Sequence, residues 1–113
     1  MSLVDLSKHV ALGIDIGGTN TKFGVVNHRG EVLEKGSIST DAYPTVEEFI
    51  DALYTAVLPL IEKNSGEKNF DGIGVGAPNA NYYSGTIEHA PNLPWKGVIP
   101  FAEMMTKKFN LPT

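Results

Sequence analysis

LGIDIGGTNTKFGVV, residues 12–26, consists of two apolar runs on either side of a glycine pair. The first run, Val10 to Ile16, is apolar or glycine except for Asp15, a pattern typical of a central strand covered on both faces. The second run, Lys22 to Val26, is rich in residues that favour strands. These runs predict two strands joined by a sharp turn at Gly17-Gly18, with an acid placed where burial would be costly.

A third strand and a long helix are predicted next. The turn NHRG, residues 27–30, gives a tight connection into a run from Val32 to Ser39, so the first three strands are expected to form an antiparallel meander. The hydrophobic period then changes to that of a helix. Thr45 and Glu48 have the spacing of a capping box, and Pro59 is expected to bend this helix near its last turns.

The second half of the chain predicts one further strand and one further helix. The strand, Phe70 to Ala77, follows a helical crossover and should lie parallel to a strand of the same sheet. A glycine- and asparagine-rich loop, residues 79–97, leads to a helix from Pro100 to Phe109. The predicted class is α/β, with a mixed sheet of three antiparallel strands plus a parallel fourth strand and crossover helices. This element order calls for a fifth strand, which is missing.

Length and composition restrict the function classes. A chain of 113 residues forms one domain at most, with residues 1–9 expected as a leader and residues 10–113 as the domain. A net charge of −4 argues against nucleic acid or an anionic membrane as the main partner. The chain has no cysteine, which excludes a disulfide framework and a thiolate metal site within it. No signal-like segment is visible, so a cytoplasmic protein is expected.

The turn between the first two strands carries unusual chemistry. Asp15 precedes the glycines, and Thr19, Asn20, Thr21 and Lys22 follow them, so hydroxyl, amide and ammonium donors surround a loop of exposed N–H groups. Such a loop can wrap phosphate oxygens, and an acid at its start can hold Mg²⁺ through water. The alternative is a plain hairpin, which would explain the glycines but not the acid. Lys22 is either part of the phosphate site or a surface strand lysine.

Three alternating glycines, Gly72, Gly74 and Gly76, lie on one face of the fourth predicted strand. Their spacing differs from the strand-to-helix turn of a dinucleotide-binding fold, and no Walker-type lysine follows a glycine-rich turn into a helix. These glycines predict instead that a helix or loop approaches the sheet closely.

Three ordered motifs, GIDIGGTNTKFGVV, GIGVGAPN and APNLPW, resemble the amino-terminal half of the ROK family of sugar kinases, glucokinases in particular. The likeness extends from Ala11 to the end of the chain. It implies an actin-like, ribonuclease-H-like fold of two α/β domains, with ATP and sugar bound in the cleft between them. The chain would then be the first of these domains, truncated before its fifth strand and before the second domain.

The resemblance also implies which residues bind the substrates. Asp15 would lie near the magnesium-bound phosphates, and Asn92 would hydrogen-bond sugar hydroxyls. Without the motif, Asn92 would be interpreted as a turn residue between two prolines. Trp95 is expected to hold this loop by packing, with stacking on a sugar as the alternative. The remaining implied residues are Gly17, Gly18, Thr19, Asn20 and Lys22 around the ATP phosphates, and Gly76, Ala77 and Pro78 against the sugar ring.

The implied activity is ATP- and Mg²⁺-dependent phosphorylation of a hexose, most simply glucose, by the parent protein. The catalytic base should lie just beyond Thr113, so the 113-residue chain itself should be inactive. The alternatives are another actin-like phosphotransferase and a non-catalytic sugar- or nucleotide-binding module. A ROK repressor is disfavoured here because only nine residues precede Val10, too few for a helix-turn-helix. A homo-oligomer is expected, and the uncovered fourth strand could self-associate.

Overall fold

The computed structural model describes residues 8–64 and 66–113, so most of the predicted leader lies outside the described residues. Strand β1 begins at His9, one residue earlier than predicted. His9 belongs to the sheet because it pairs with Asn69, and its Nδ1 lies 2.8 Å from a carboxylate oxygen of Asp71. Asp71 therefore has a partner in β1.

Seven strands and two helices make up the described chain. The elements are β1 His9–Ile16, β2 Asn20–Asn27, β3 Val32–Ser39, α1 Val46–Asn64, β4 Asn69–Gly76, β5 Ala80–Asn81, β6 Thr86–Glu88, β7 Val98–Ile99 and α2 Phe101–Phe109. None of the helices in residues 8–64 and 66–113 has the length and apolar character needed to cross a membrane.

The main sheet has the strand order β3-β2-β1-β4. β1 and β2 pair antiparallel, as do β2 and β3, whereas β4 runs parallel to β1. This is the predicted mixed sheet. β1 is central, but it is fully covered on one face only, since Val10, Leu12, Ile14 and Ile16 are buried while Asp15 is exposed. The expectation of coverage on both faces was therefore wrong, and Asp15 carries no burial cost.

Helix α1 covers the buried face of the sheet. Its start is capped as predicted, with the Glu48 N–H donating to Thr45 Oγ1 at 3.2 Å. Pro59 lies within the helix, which continues to Asn64. At that end Glu34 of β3 accepts hydrogen bonds from Lys63 at 2.6 Å and from the Asn64 side chain at 2.7 Å. The bond from Lys63, followed by that from Asn64, lowers the pKa of the Glu34 carboxyl below its usual value and fastens β3 to α1.

Strand β4 forms one edge of the sheet, as predicted, and the C-terminal residues meet part of it. The Ile73 N–H donates to the Pro112 carbonyl oxygen at 2.8 Å. A Cβ on Gly72 would lie 3.0 Å from that oxygen, so the glycine permits this close approach. A Cβ on Gly74 would meet nothing within 4 Å. The prediction of close approach at the alternating glycines is therefore confirmed at Gly72 and wrong at Gly74.

The segment predicted as a loop, residues 79–97, contains most of a second small sheet. β5, β6 and β7 pair antiparallel, and the backbone N–H of Ala102 in α2 donates to the Gly85 carbonyl at 3.0 Å. Strands of two or three residues are too short to show an alternating pattern, so the sequence did not reveal them. Gly85 and Gly97 have φ values of 69° and 82°, a left-handed backbone conformation that glycine adopts without steric cost.

Candidate phosphate and sugar site

The predicted phosphate and sugar residues meet at one end of the main sheet. In the strand register, Asp15 of β1 lies opposite Lys22 of β2 on one side and Gly76 of β4 on the other. Asp15 and Lys22 are both exposed, and directly opposite residues on paired strands have neighbouring side chains. A Cβ on Gly76 would lie 3.9 Å from Asp15 Oδ1. The acid is thus next to both the lysine and the turn assigned to the sugar.

The loop between β1 and β2 is a tight turn closed by a hydrogen bond from the Gly17 N–H to the Asn20 carbonyl at 2.9 Å. Neither Gly17 nor Gly18 has a positive φ, so this turn does not need the conformational freedom of glycine. A Cβ on Gly17 would lie 2.8 Å from the Asn20 carbonyl oxygen. Gly17 is therefore required for space, and the exposed end of the loop consists of Thr19 and Asn20.

Thr40, which the sequence did not single out, holds the loop from the end of β3. Its N–H donates to the Thr19 carbonyl at 2.8 Å. Its hydroxyl lies 2.7 Å from the hydroxyl of Thr21, and both side chains are fully buried. The available signal was the register of the meander, which brings the end of β3 next to the start of β2. The loop is therefore anchored below its exposed surface by a threonine pair.

Replacing Thr40 by valine should lower the free energy of unfolding by about 1–3 kcal/mol, because the buried Thr21 hydroxyl would lose its partner. The double variant Thr21→Val/Thr40→Val removes both hydroxyls and should regain much of that loss. Urea denaturation of the single and double variants measures the difference. Additive losses in the double variant would mean that the hydroxyls are not coupled.

The turn that carries Asn92 is fixed by buried neighbours. Asn92 is exposed, whereas Leu93 and Trp95 are 2% and 4% exposed. The Trp95 indole N–H donates to the Tyr43 carbonyl at 3.1 Å, and its ring centroid lies 4.6 Å from that of Phe49. The packing role predicted for Trp95 is confirmed. With its ring buried against Phe49, Trp95 is not available for stacking on a sugar.

The segment after Gly76, Ala77 and Pro78 is fastened to the small sheet through Asn79, another residue that the sequence did not single out. Asn79 has a φ of 56°, and its side-chain amide donates to the carbonyls of Glu88 and His89 at 3.0 and 3.1 Å. The Glu88 N–H donates back to the Asn79 carbonyl at 3.1 Å. These bonds hold the end of the assigned sugar turn against β6.

Glu88 is the titratable group of the small sheet with a perturbed pKa. Thr86 donates a hydrogen bond to its carboxylate at 2.7 Å, and this bond is the main reason that the pKa of Glu88 lies below its usual value. A side-chain hydrogen bond from Asn81 lowers it further. The bonds from Thr86 and Ser84 hold the Glu88 carboxylate beside the turn that joins β5 and β6.

Comparison with known proteins identifies the family. The sequence model of the ROK family matches residues 11–113. The chain is 30% identical to a putative xylose repressor of Caldicellulosiruptor sp. (strain Rt8B.4), over 97% of this chain and 28% of the repressor. It is 31% identical to a glucokinase of Streptomyces coelicolor, over 91% of this chain and 31% of that enzyme.

A solved structure supports the same assignment. The ROK family glucokinase from Streptomyces griseus, in complex with glucose and AMPPNP, superposes with a TM-score of 0.74 at 30% identity. The match covers 91% of this chain and 31% of that one, so this chain spans about a third or less of the length of these three relatives. The fold is accordingly the actin-like α/β fold of the ROK sugar kinases. The chain belongs to the ROK family.

Proposed function

We propose that this chain is the part of a ROK hexose kinase that binds the phosphates of ATP and one side of the sugar, with glucose as the first candidate substrate. The observation that carries the proposal is the row formed by Lys22, Asp15 and Gly76 beside the glycine turn, with Asn92 on the neighbouring loop. The similarity to glucokinases, one of them solved with glucose and AMPPNP, supports the same reading.

The phosphate side would act through backbone amides and charge. Gly17, Gly18, Thr19 and Asn20 present the turn on which phosphate oxygens would lie, and Lys22 would add positive charge. Asp15 is exposed beside this turn, which suits an acid that holds Mg²⁺ through water. Mg²⁺ usually keeps several waters and is bound through one or two carboxylates together with substrate phosphates. When bound, the ion would neutralise the negative charge of the phosphates.

The sugar side would orient the hydroxyl that is phosphorylated. The Asn92 side chain is exposed and can hydrogen-bond hydroxyl groups, while its loop is held by the buried Leu93 and Trp95. The backbone of Gly76, Ala77 and Pro78 would lie against the ring. A rigidly held turn favours transfer because it limits the orientations open to the acceptor hydroxyl.

The proton-accepting carboxylate that this reaction needs is proposed to lie beyond Thr113, and the remaining contacts to the nucleotide in a second domain. Pro112 already accepts a hydrogen bond from Ile73 at the edge of β4. A strand that continued from it in parallel with β4 would run toward Gly76 and the sugar turn. The 113-residue chain by itself should therefore bind without catalysing transfer, and the whole protein is proposed to be cytoplasmic.

Calorimetric titration of the purified chain with glucose and with Mg²⁺-AMPPNP tests the proposed function. Saturable binding of both, with no glucose 6-phosphate formed when ATP replaces AMPPNP, is the expected result. Binding of neither ligand would contradict the proposal. Glucose phosphorylation by the chain alone would show that a base is present within residues 1–113.

A second candidate function is that of a sugar-responsive repressor, favoured by the 30% identity to the putative xylose repressor. A repressor module would bind its sugar without needing Mg²⁺-nucleotide. Titration with xylose separates the two candidates, because tight xylose binding without AMPPNP binding would favour the repressor. Another actin-like phosphotransferase would instead bind the nucleotide but no hexose.

The edge of β4 is proposed to support self-association of the chain. Beyond Ile73 this edge borders a groove of about 400 Å³ lined by apolar groups including Val75, Ala77 and Phe101. Sedimentation velocity should therefore show concentration-dependent dimers. Gly74→Lys places a charge at an open point of the edge and should leave monomers. An unmodified chain that stays monomeric at high micromolar concentration would contradict this prediction.

A further inference from the structure

The two sides of the candidate site touch at Gly18. A Cβ on Gly18 would lie 2.8 Å from the Asn92 carbonyl oxygen and 3.4 Å from Asn92 Cβ. Real Cβ atoms essentially never approach a neighbour within 3.0 Å, and a carbonyl oxygen cannot swing aside as the end of a flexible side chain can. Since the φ of Gly18 is not positive, the contact with Asn92 is the reason for a glycine here.

If a side chain were present at this position, the strain would fall mainly on the Asn92 turn. The phosphate loop is held at Gly17 by its bond to Asn20, and at Thr19 by the bond from Thr40 at 2.8 Å. Asn92 is exposed, and the nearest backbone bond of its turn, from Leu93 to Ala90, is longer at 3.3 Å. Since the buried Leu93 and Trp95 hold the rest of the turn, the exposed Asn92 peptide itself should yield first.

We propose that Gly18 is a positioning residue for the sugar side, although its motif belongs to the phosphate side. Its missing side chain lets the Asn92 backbone rest against the phosphate loop, and this contact sets where the Asn92 amide is presented. The proposal rests on the proposed function for the claim that Asn92 binds the sugar. It predicts that a methyl group at position 18 weakens sugar binding more than nucleotide binding.

Three glycine-to-alanine variants separate this effect from general damage to the loop. Gly18→Ala drives a methyl group against the Asn92 carbonyl. Gly17→Ala is its matched partner, since its methyl group would meet the Asn20 carbonyl within the loop at 2.8 Å and not the sugar turn. Gly74→Ala adds a methyl group in open space in β4 and serves as the neutral control.

The first measurement needs no ligand. In amide NMR spectra of the free chain, Gly18→Ala should shift the resonances of Asn92 and Leu93, whereas Gly74→Ala should leave them in place. Unmoved Asn92 and Leu93 resonances in folded Gly18→Ala would overturn the proposal. Calorimetry supplies the second measurement. Gly18→Ala should weaken glucose binding about tenfold or more, because a shift of about an ångström in a positioning group can have a large effect.

The ratio of the two affinities decides between positioning and general damage. Gly18→Ala should lose more affinity for glucose than for Mg²⁺-AMPPNP. Gly17→Ala should lose more affinity for Mg²⁺-AMPPNP than for glucose. Equal losses in Gly18→Ala would overturn the proposal. If the unmodified chain binds no glucose but Gly18→Ala still moves the Asn92 resonance, the positioning contact stands and the proposed sugar function fails.

The unmodified chain gives a further test that does not depend on the folding of a variant. Because Gly18 touches Asn92, glucose binding should shift the Gly18 amide resonance, and a nuclear Overhauser effect should connect the Gly18 α-protons to Asn92. A chain that binds glucose without either signal would show that the contact is not formed in solution, which would overturn the proposal.

Discussion

Trp95→Ala is expected to lower the free energy of unfolding by about 3–5 kcal/mol, the usual cost of deleting a large buried aromatic side chain. Trp95 is 4% exposed, and its ring centroid lies 4.6 Å from that of Phe49 in α1. Alanine would therefore leave a cavity between the sugar turn and α1. It would also remove the donor to the Tyr43 carbonyl. Because domains are stable by only about 5–15 kcal/mol, this loss would be a large fraction of the total stability.

Urea denaturation followed by far-ultraviolet circular dichroism measures this loss, with two variants as controls. Trp95→Phe keeps a ring in the core but not the indole N–H, and should cost only about 1–2 kcal/mol. Val98→Ala truncates a side chain that is 57% exposed and should change stability by less than about 0.5 kcal/mol. If Trp95→Ala unfolded at the same urea concentration as Val98→Ala, the indole would not be part of the core in solution.

The main sheet and helix α1 were predictable because their signals are local. β3 was predicted within its observed limits, Val32–Ser39, and the Thr45 cap placed the start of α1 correctly. Hydrophobic period, turn glycines and caps all act within a few residues of the element that they specify. The parallel direction of β4 followed from the crossover helix alone.

Other features could not be predicted because they depend on contacts between distant residues. Asp15 was expected on a strand covered on both faces, but its face is only partly covered and Asp15 itself is exposed. Residue types alone do not tell which face of a central strand a helix covers. The contact of Gly18 with Asn92 joins segments that carry no mutual signal in one sequence, whereas the bond from Thr40 to Thr19 could be found only through the register of the meander. The small sheet was missed because its strands are too short to have a period.

The glycine pair shows how the structure changes the meaning of a motif. From sequence, Gly17 and Gly18 indicated a sharp turn between two strands. In the structure neither has a positive φ. A side chain at Gly17 would collide with the phosphate loop itself, whereas a side chain at Gly18 would collide with the sugar turn. The motif therefore encodes contacts on both sides of the candidate site, and its two glycines are expected to differ in function.

Asp15→Asn provides the sharpest test of the phosphate assignment, because the substitution keeps the shape of the side chain and removes its charge. If Asp15 holds Mg²⁺ through water, the variant should bind Mg²⁺-AMPPNP about 10- to 100-fold more weakly, the range found when partners just outside a metal's direct ligands are removed. The same charge repels a metal-free triphosphate. Asp15→Asn should therefore bind AMPPNP as well as the unmodified chain, or better, when EDTA removes the metal.

Asp41→Asn is the matched control for this experiment. Asp41 is an exposed carboxylate just after β3, hydrogen-bonded by the Ser39 hydroxyl at 2.7 Å, and its replacement changes the net charge by the same amount. Asp41→Asn should change the affinity for AMPPNP only slightly, and by about the same factor with Mg²⁺ as without it. If Asp15→Asn weakened AMPPNP binding equally with and without Mg²⁺, Asp15 would be assigned to loop structure and not to the metal. Only an acid that holds the metal is expected to favour nucleotide binding when Mg²⁺ is present and to disfavour it when Mg²⁺ is removed.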